Sequence, residues 1–159
     1  MTIKEVTGDI LDYVGEVQII AHQVNNKGVM GGGLAAQIRN KYPHVYKTYS
    51  EYCNGRREDD LLGFCQVTNF SSAPEISTLC ANLFGQTLEG MGRDTNYEAL
   101  YVAMEVLKDF MLKSGLRTLA IPHSMGCGLG GGDWRIVRTM IEVIFEDAPV
   151  EITIVKYGK

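Results

Sequence analysis

Ile19-Ile20-Ala21-His22-Gln23-Val24 runs directly into Asn25-Asn26-Lys27-Gly28-Val29-Met30-Gly31-Gly32-Gly33, and Leu34 then opens a stretch of helical character ending at Tyr42, before Pro43. The run from Val17 to Val24 is mostly apolar without alternation, which suits a strand buried on both faces. Three consecutive glycines where a helix begins let backbone N–H groups approach an anion with no side chains in the way. The helix dipole adds a favourable field at the same place. A strand, a glycine-rich loop and a helix in that order are the unit of an α/β protein whose ligand is held by backbone.

The same unit returns late in the chain. Leu116–Ile121 reads as a strand ended by Pro122, and Pro122-His123-Ser124-Met125-Gly126-Cys127-Gly128-Leu129-Gly130-Gly131-Gly132-Asp133 follows. Asp133 can cap a helix whose apolar positions are Ile136, Val137, Met140, Ile141, Ile144 and Phe145. Two such loops at strand ends could grip a diphosphate from both sides.

Between and around these units the chain alternates. Thr2–Val6 is a short β-branched run, and the segment after Pro43 fits a second helix with Val45, Tyr49 and Tyr52 on one side. Leu62–Phe70 and Ile76–Phe84 read as two strands joined by a turn at Ser71-Ser72-Ala73-Pro74. Thr95-Asn96-Tyr97-Glu98 has the form of a capping box, with Thr95 as the cap. Leu100, Ala103, Met104, Leu107, Phe110 and Met111 then share one face, and Gly115 is placed to stop that helix. Pro149 precedes a last strand, Val150–Tyr157. Strands alternating with helices predict a single domain with a parallel or mixed sheet covered on both faces, its ligand beyond the carboxyl ends of strands.

The chain has 159 residues, 45% of them hydrophobic and 21% charged, enough for one core and one domain. No apolar run reaches the length of a membrane span, and Met1-Thr2-Ile3-Lys4-Glu5 does not open like a signal peptide. A cytoplasmic protein without a membrane role is therefore the expectation. A net charge of −4 gives no general attraction to nucleic acid, so phosphate must be held by local geometry. Cys53, Cys65, Cys80 and Cys127 form no metal-ligand spacing, and no metal or cofactor is expected. The first three read as small buried hydrophobes.

Thr7-Gly8-Asp9-Ile10 follows the first strand. An Asp beside a backbone N–H can accept from the amine of adenine and donate to a ring nitrogen; the alternative is a turn in which Asp9 bonds its own backbone. Gly31-x-Gly33-x-x-Ala36 formally matches a dinucleotide-binding fingerprint, but several polar residues separate it from the strand it should follow. No Gly-Lys-Ser/Thr is present, which argues against a P-loop nucleotidase.

Taken together, Gly8-Asp9-Ile10, Asn25 with Gly31-Gly32-Gly33-Leu34-Ala35, and Ile121-Pro122 through Leu129 resemble the macrodomain family over nearly the whole chain. His22 before the first loop, and Gly126-Cys127-Gly128-Leu129 followed by Trp134, look most like the branch containing the terminal ADP-ribose protein glycohydrolase and the yeast ADP-ribose 1''-phosphate phosphatase. The resemblance implies a three-layer α/β/α macrodomain with a mixed, mostly parallel sheet, spanning residues 1–159. It implies an ADP-ribose site formed by Asp9, Ile10, His22, Val24, Asn25, Met30, Gly31, Gly32, Gly33, Leu34, Ser124, Gly126, Cys127, Gly128, Leu129, Gly130 and Tyr157. Tyr157 would stack on the base.

Two departures shape the activity expected. The glycohydrolase carries Asp directly after Gly-Cys-Gly-Leu, where this chain has Gly130, and many macrodomains carry an aromatic residue there. The glycohydrolase's catalytic Lys falls where this chain reads Gly85-Gln86-Thr87. A covalent Lys mechanism is thereby disfavoured. Hydrolysis of an ADP-ribose derivative, foremost ADP-ribose 1''-phosphate, is the activity expected, with Asn25, His123 and Asp133 as catalytic candidates. The rival readings are a module that binds ADP-ribosylated protein without turnover, a hydrolase of ADP-ribosyl carboxylate esters, and a dinucleotide-dependent oxidoreductase.

Overall fold

A computed structural model describes residues 1–71, 78–88, 95–128 and 130–158. Its strands are β1 (Thr2–Gly8), β2 (Ile19–Asn25), β3 (Cys65–Asn69), β4 (Leu79–Gln86), β5 (Thr118–Pro122) and β6 (Glu151–Tyr157). The helices are α1 (Gly33–Lys41), α2 (Pro43–Cys53), the single turn α3 (Glu58–Leu61), α4 (Tyr97–Ser114) and α5 (Trp134–Phe145). They form one six-stranded sheet in the order β1-β6-β5-β2-β4-β3. All pairings are parallel except that of β3 with β4. The sheet is thus mixed and mostly parallel, as the alternation implied.

Side-chain alternation along each strand sorts the core into two layers. Ile19 and Ala21 of β2, Ala81 and Leu83 of β4 and Ile152 and Ile154 of β6 pack under α4 and α5. Their neighbours Ile20, Val24, Cys80, Phe84 and Val155 face Ile38 of α1, Val45 and Tyr49 of α2 and Leu61 of α3. Helices on both faces make three layers. With β2 at the centre, β5 on one side and β4 on the other, the carboxyl ends of three parallel strands converge on one edge of the sheet.

Several local expectations are corrected. Asn96, not Thr95, caps α4: its Oδ1 accepts from Ala99 N at 3.0 Å, while the Thr95 hydroxyl is taken up elsewhere. Leu62–Phe64 lie outside β3, because the turn α3 ends at Leu61 and Gly63 takes a φ of 91°. Of the turn assigned to Ser71–Pro74 and the strand start at Ile76, residues 72–77 lie outside the described ones. Ile136 is 44% exposed rather than core, because the buried stripe of α5 runs through Val137, Ile141, Ile144 and Phe145. Asp9 accepts from Leu11 N at 2.9 Å and caps a 3-10 turn at Ile10–Tyr13. All four cysteines are free thiols; Cys80 is buried, whereas Cys53 and Cys65 are half-buried.

Candidate functional site

At the carboxyl edge of the sheet lies a cavity of about 360 Å³. A second, of about 330 Å³, shares Gly33, Leu34, Pro122, His123 and Tyr157 with it. The two therefore read as one cleft with a junction at those residues. Asp9 and Ile10 line only the smaller part. Asn25, Gln86, Leu88, Gly126, Gly128 and Gly130 line only the larger. Among the described residues no Lys or Arg lines either part. An anion here would have to be held by backbone, as the acidic composition required.

The first loop supplies part of that backbone. The first intrahelical bond of α1 runs from Ala36 N to Gly32 O at 3.2 Å. The amides of Gly33, Leu34 and Ala35 therefore have no helical acceptor, and all three residues line the larger cavity. Asn25 folds the loop around itself. Its Oδ1 accepts from Lys27 N at 2.9 Å and its Nδ2 donates to Val29 O at 2.6 Å, while Tyr49 Oη shares its one proton between Asn25 O at 2.7 Å and Asn25 Oδ1 at 2.9 Å. Burial pushes the Tyr49 phenol well above its ordinary range, so it stays a donor. One N–H of Asn25 Nδ2 remains for a ligand.

His22 forms the floor. It is 2% exposed, and desolvation lowers its pKa to about 4, offset in part by a hydrogen bond to Asn82. Asn82 Nδ2 donates to Gln66 Oε1 at 2.7 Å, which turns Asn82 Oδ1 toward His22 Nε2 at 2.6 Å. Nε2 therefore carries the proton of a neutral ring. The sequence left His22 with backbone partners; its partner is instead the side chain of Asn82, its register neighbour on the adjacent strand β4.

The second loop is a succession of tight turns. Met125 N bonds Pro122 O, Cys127 N bonds Ser124 O and Gly132 N bonds Gly126 O, at 3.1, 2.9 and 2.9 Å. Ser124 holds a φ of 66°, a left-handed conformation that costs a non-glycine residue about 1–3 kcal/mol. Its hydroxyl lies 2.8 Å from His123 Nδ1, and the His123 ring rests against Trp134 with centroids 4.8 Å apart.

Of the residues expected in the site, His22, Val24, Asn25, Gly31, Gly32, Gly33, Leu34, His123, Ser124, Gly126, Gly128, Gly130 and Tyr157 line the larger cavity. Met30 does not: it is 1% exposed and packs in the layer beneath α1 and α2. Cys127 is also absent from the lining, its Sγ turned to Met125 O at 3.3 Å. Asp133 is not brought to the cavity either. Its carboxylate caps α5 through Arg135 N and pairs with the Arg135 side chain at 2.8 Å, which holds its pKa below the usual carboxylate value. Leu129 lies outside the described residues. Gln23, Val29, Gln86, Leu88 and Met125 line the cavity without having been assigned to it. The parallel pairing of Asn25 with Gln86 is what carries the segment after β4 to the first loop, and no local pattern announces a pairing across 61 positions.

The Macro domain family model matches residues 21–141. Human ADP-ribose glycohydrolase OARD1 is 40% identical over 156 residues, covering 96% of this chain and 90% of that protein. An ADP-ribose 1''-phosphate phosphatase of Lodderomyces elongisporus is 27% identical, over 89% of this chain and 92% of its own. In structure, the macrodomain of Mycobacterium tuberculosis DarG superposes with a TM-score of 0.81 at 21% identity, covering 99% of both chains.

Proposed function

This chain belongs to the macrodomain family, and we propose that its cleft binds ADP-ribose and hydrolyses an ADP-ribose derivative, foremost ADP-ribose 1''-phosphate. One observation carries the binding half: two glycine loops line a single cavity that no Lys or Arg enters among the described residues. The expected diphosphate fits between the loops, with the base toward Asp9, Ile10 and Tyr157 and the distal ribose toward Asn25, Gln86 and Leu88. Relatives named as phosphatases and as a glycohydrolase support the hydrolytic half.

Of the titratable side chains lining the larger cavity, His22 is held neutral against Asn82, and Tyr157 stands at the base end. His123 is left to exchange a proton, and Asn25, with its remaining N–H, to position the distal ribose or a water. Asp133 drops out because its carboxylate is spent on the helix and on Arg135. The stretch Gly85-Gln86-Thr87-Leu88 offers no amine for a covalent intermediate, which favours direct attack by water.

Inorganic phosphate released from ADP-ribose 1''-phosphate tests the reading. Release that disappears in Asn25→Ala supports it. The 40% identity to the glycohydrolase favours one second reading, removal of ADP-ribose from protein carboxylates. Turnover of an ADP-ribosylated glutamyl substrate with no phosphate release would select it, and tight binding with neither activity would leave a binding module.

A further inference from the structure

Thr95 was expected to cap α4, and its release from that duty has a consequence at the cleft. Its hydroxyl accepts from Gln23 Nε2 at 3.0 Å and donates to Gly126 O at 2.6 Å. Its amide donates to Gly130 O at 2.9 Å. One residue thus joins the central strand β2 to two points of the second loop. Gly126 O also receives Gly132 N, so both arms of the loop meet at a carbonyl that Thr95 holds.

Sterics point to the same contact. A Cβ built at Gly130 would lie 2.4 Å from Thr95 Oγ1 and 2.7 Å from Gly126 O, and one at Gly126 would lie 3.1 Å from both Thr95 Oγ1 and Gln23 Oε1. Position 130 is therefore bare because Thr95 and the Gly126 carbonyl fill the space behind it, and at Gly126 a left-handed φ of 77° adds to the tight approach of Thr95 and Gln23. Gln23 Oε1 is buried and without a partner among the described residues, so its amide is turned to present the donor to Thr95 at the cost of the acceptor. Gly126 and Gly130 both line the larger cavity, which has backbone for a wall there.

We propose that Thr95 is the positioning residue of the second loop: its hydroxyl and amide fix the Gly126 and Gly130 backbone that faces the diphosphate and distal ribose of the ligand. The ligand identity rests on the functional reading above; the clamp itself does not. Because the hydroxyl both accepts and donates, Ser can replace Thr here, whereas Val and Ala lose both bonds.

Amide hydrogen exchange on the ligand-free protein tests the clamp. In Thr95→Val, the amides of Cys127 and Gly132 should exchange at least tenfold faster while those of Leu119–Ile121 in β5 stay unchanged, and Thr95→Ser should keep the wild-type pattern. Calorimetry with ADP-ribose should then show dissociation constants raised tenfold or more in Thr95→Val and within threefold of wild type in Thr95→Ser. If the Val variant does not fold, Thr95→Ala is held to the same criteria. Unchanged loop exchange, a uniform rise across the whole molecule, or a Ser variant as impaired as Val would overturn the proposal. So would an affected loop with ADP-ribose affinity intact. A wild-type protein that shows the clamp by exchange yet binds no ADP-ribose would instead overturn the reading of the site.

Discussion

The two glycine loops face each other across one cavity, yet they are held in shape by different means. In the first, side chains do the holding: Asn25 bonds Lys27 and Val29 within the loop, and Tyr49 reaches in from α2 to bond Asn25. In the second, main-chain turns stack on one another, and Thr95 arrives from a distant segment to pin them. A loop braced by its own side chains keeps its shape at the expense of those side chains' freedom to meet ligand. A loop braced from behind leaves the front of its glycine stretch, at Gly126, Gly128 and Gly130, as backbone. The first loop is thus suited to offering one amide N–H and a helix terminus, the second to wrapping an anion.

The largest expected effect lies on the second loop. Among the described residues a Cβ at Gly128 meets nothing within 4 Å, so Gly128→Val should leave the fold intact while filling the ligand's space. ADP-ribose affinity should fall by at least about a hundredfold, on the order of 3 kcal/mol, with the melting temperature almost unchanged. A folded variant that still binds tightly would erase the distinction between the loops' fronts and backs.

Beneath both loops, His22 makes stability depend on pH. The unfolded imidazole takes a proton near pH 6.5, while the folded one resists until about 4. The unfolded state therefore binds more protons in that window, and stability falls as pH drops from about 6.5 to about 4, then levels. The loss should approach roughly 3 kcal/mol. Urea melts of wild type and His22→Gln across this range check it: the variant should lack that slope, and parallel curves would contradict the assignment.

Asn25 sharpens the contrast from the other side. Asn25→Asp keeps the acceptor for Lys27 and Tyr49 but loses both N–H groups, including the one that bonds Val29 O, whereas Asn25→Ala loses acceptor and donors alike. Turnover should fall on the order of thirtyfold in either variant, because positioning counts most in the transition state. Both variants should also loosen the loop, Asp through the lost Val29 bond and Ala through all of its side-chain bonds, read as melting temperatures below that of wild type. Melting temperatures equal to that of wild type would mean that Asn25 does not brace the loop.

At the base end the effect is smaller. Asp9→Asn preserves the oxygen that caps the 3-10 turn and removes the charge, so it isolates recognition from structure. ADP-ribose should bind about tenfold more weakly, roughly 1.4 kcal/mol, and preference over a guanine analogue should shrink. Unaltered preference would leave Asp9 a turn residue alone. Smallest of all, Asp133→Asn should change turnover within about twofold, since an amide oxygen can still cap α5; a large loss would restore Asp133 to the site.

Much of this was legible along the chain because it is local. Period and composition placed the strands, α4 and α5, and the glycine runs marked both loops. Asp133 before Trp134 was readable as a cap for the same reason. What escaped depended on partners far away in sequence. Thr95 fits a capping box as well as Asn96 fits a cap, and only the approach of Gly126 decides between them. Met30 sits within the first loop's sequence but turns under α1 and α2, because a loop passing over a core must bury something. Gln23 looked like one more residue of a buried strand, and its role appears once β2 lies beside the start of α4.

That the cleft is a site for ADP-ribose is tested most directly by a calorimetric titration of the wild-type protein with ADP-ribose, beside one with intact NAD. Saturable one-to-one binding of ADP-ribose, with NAD distinctly weaker, is the predicted result. No heat with ADP-ribose, or tighter binding of NAD, would contradict it.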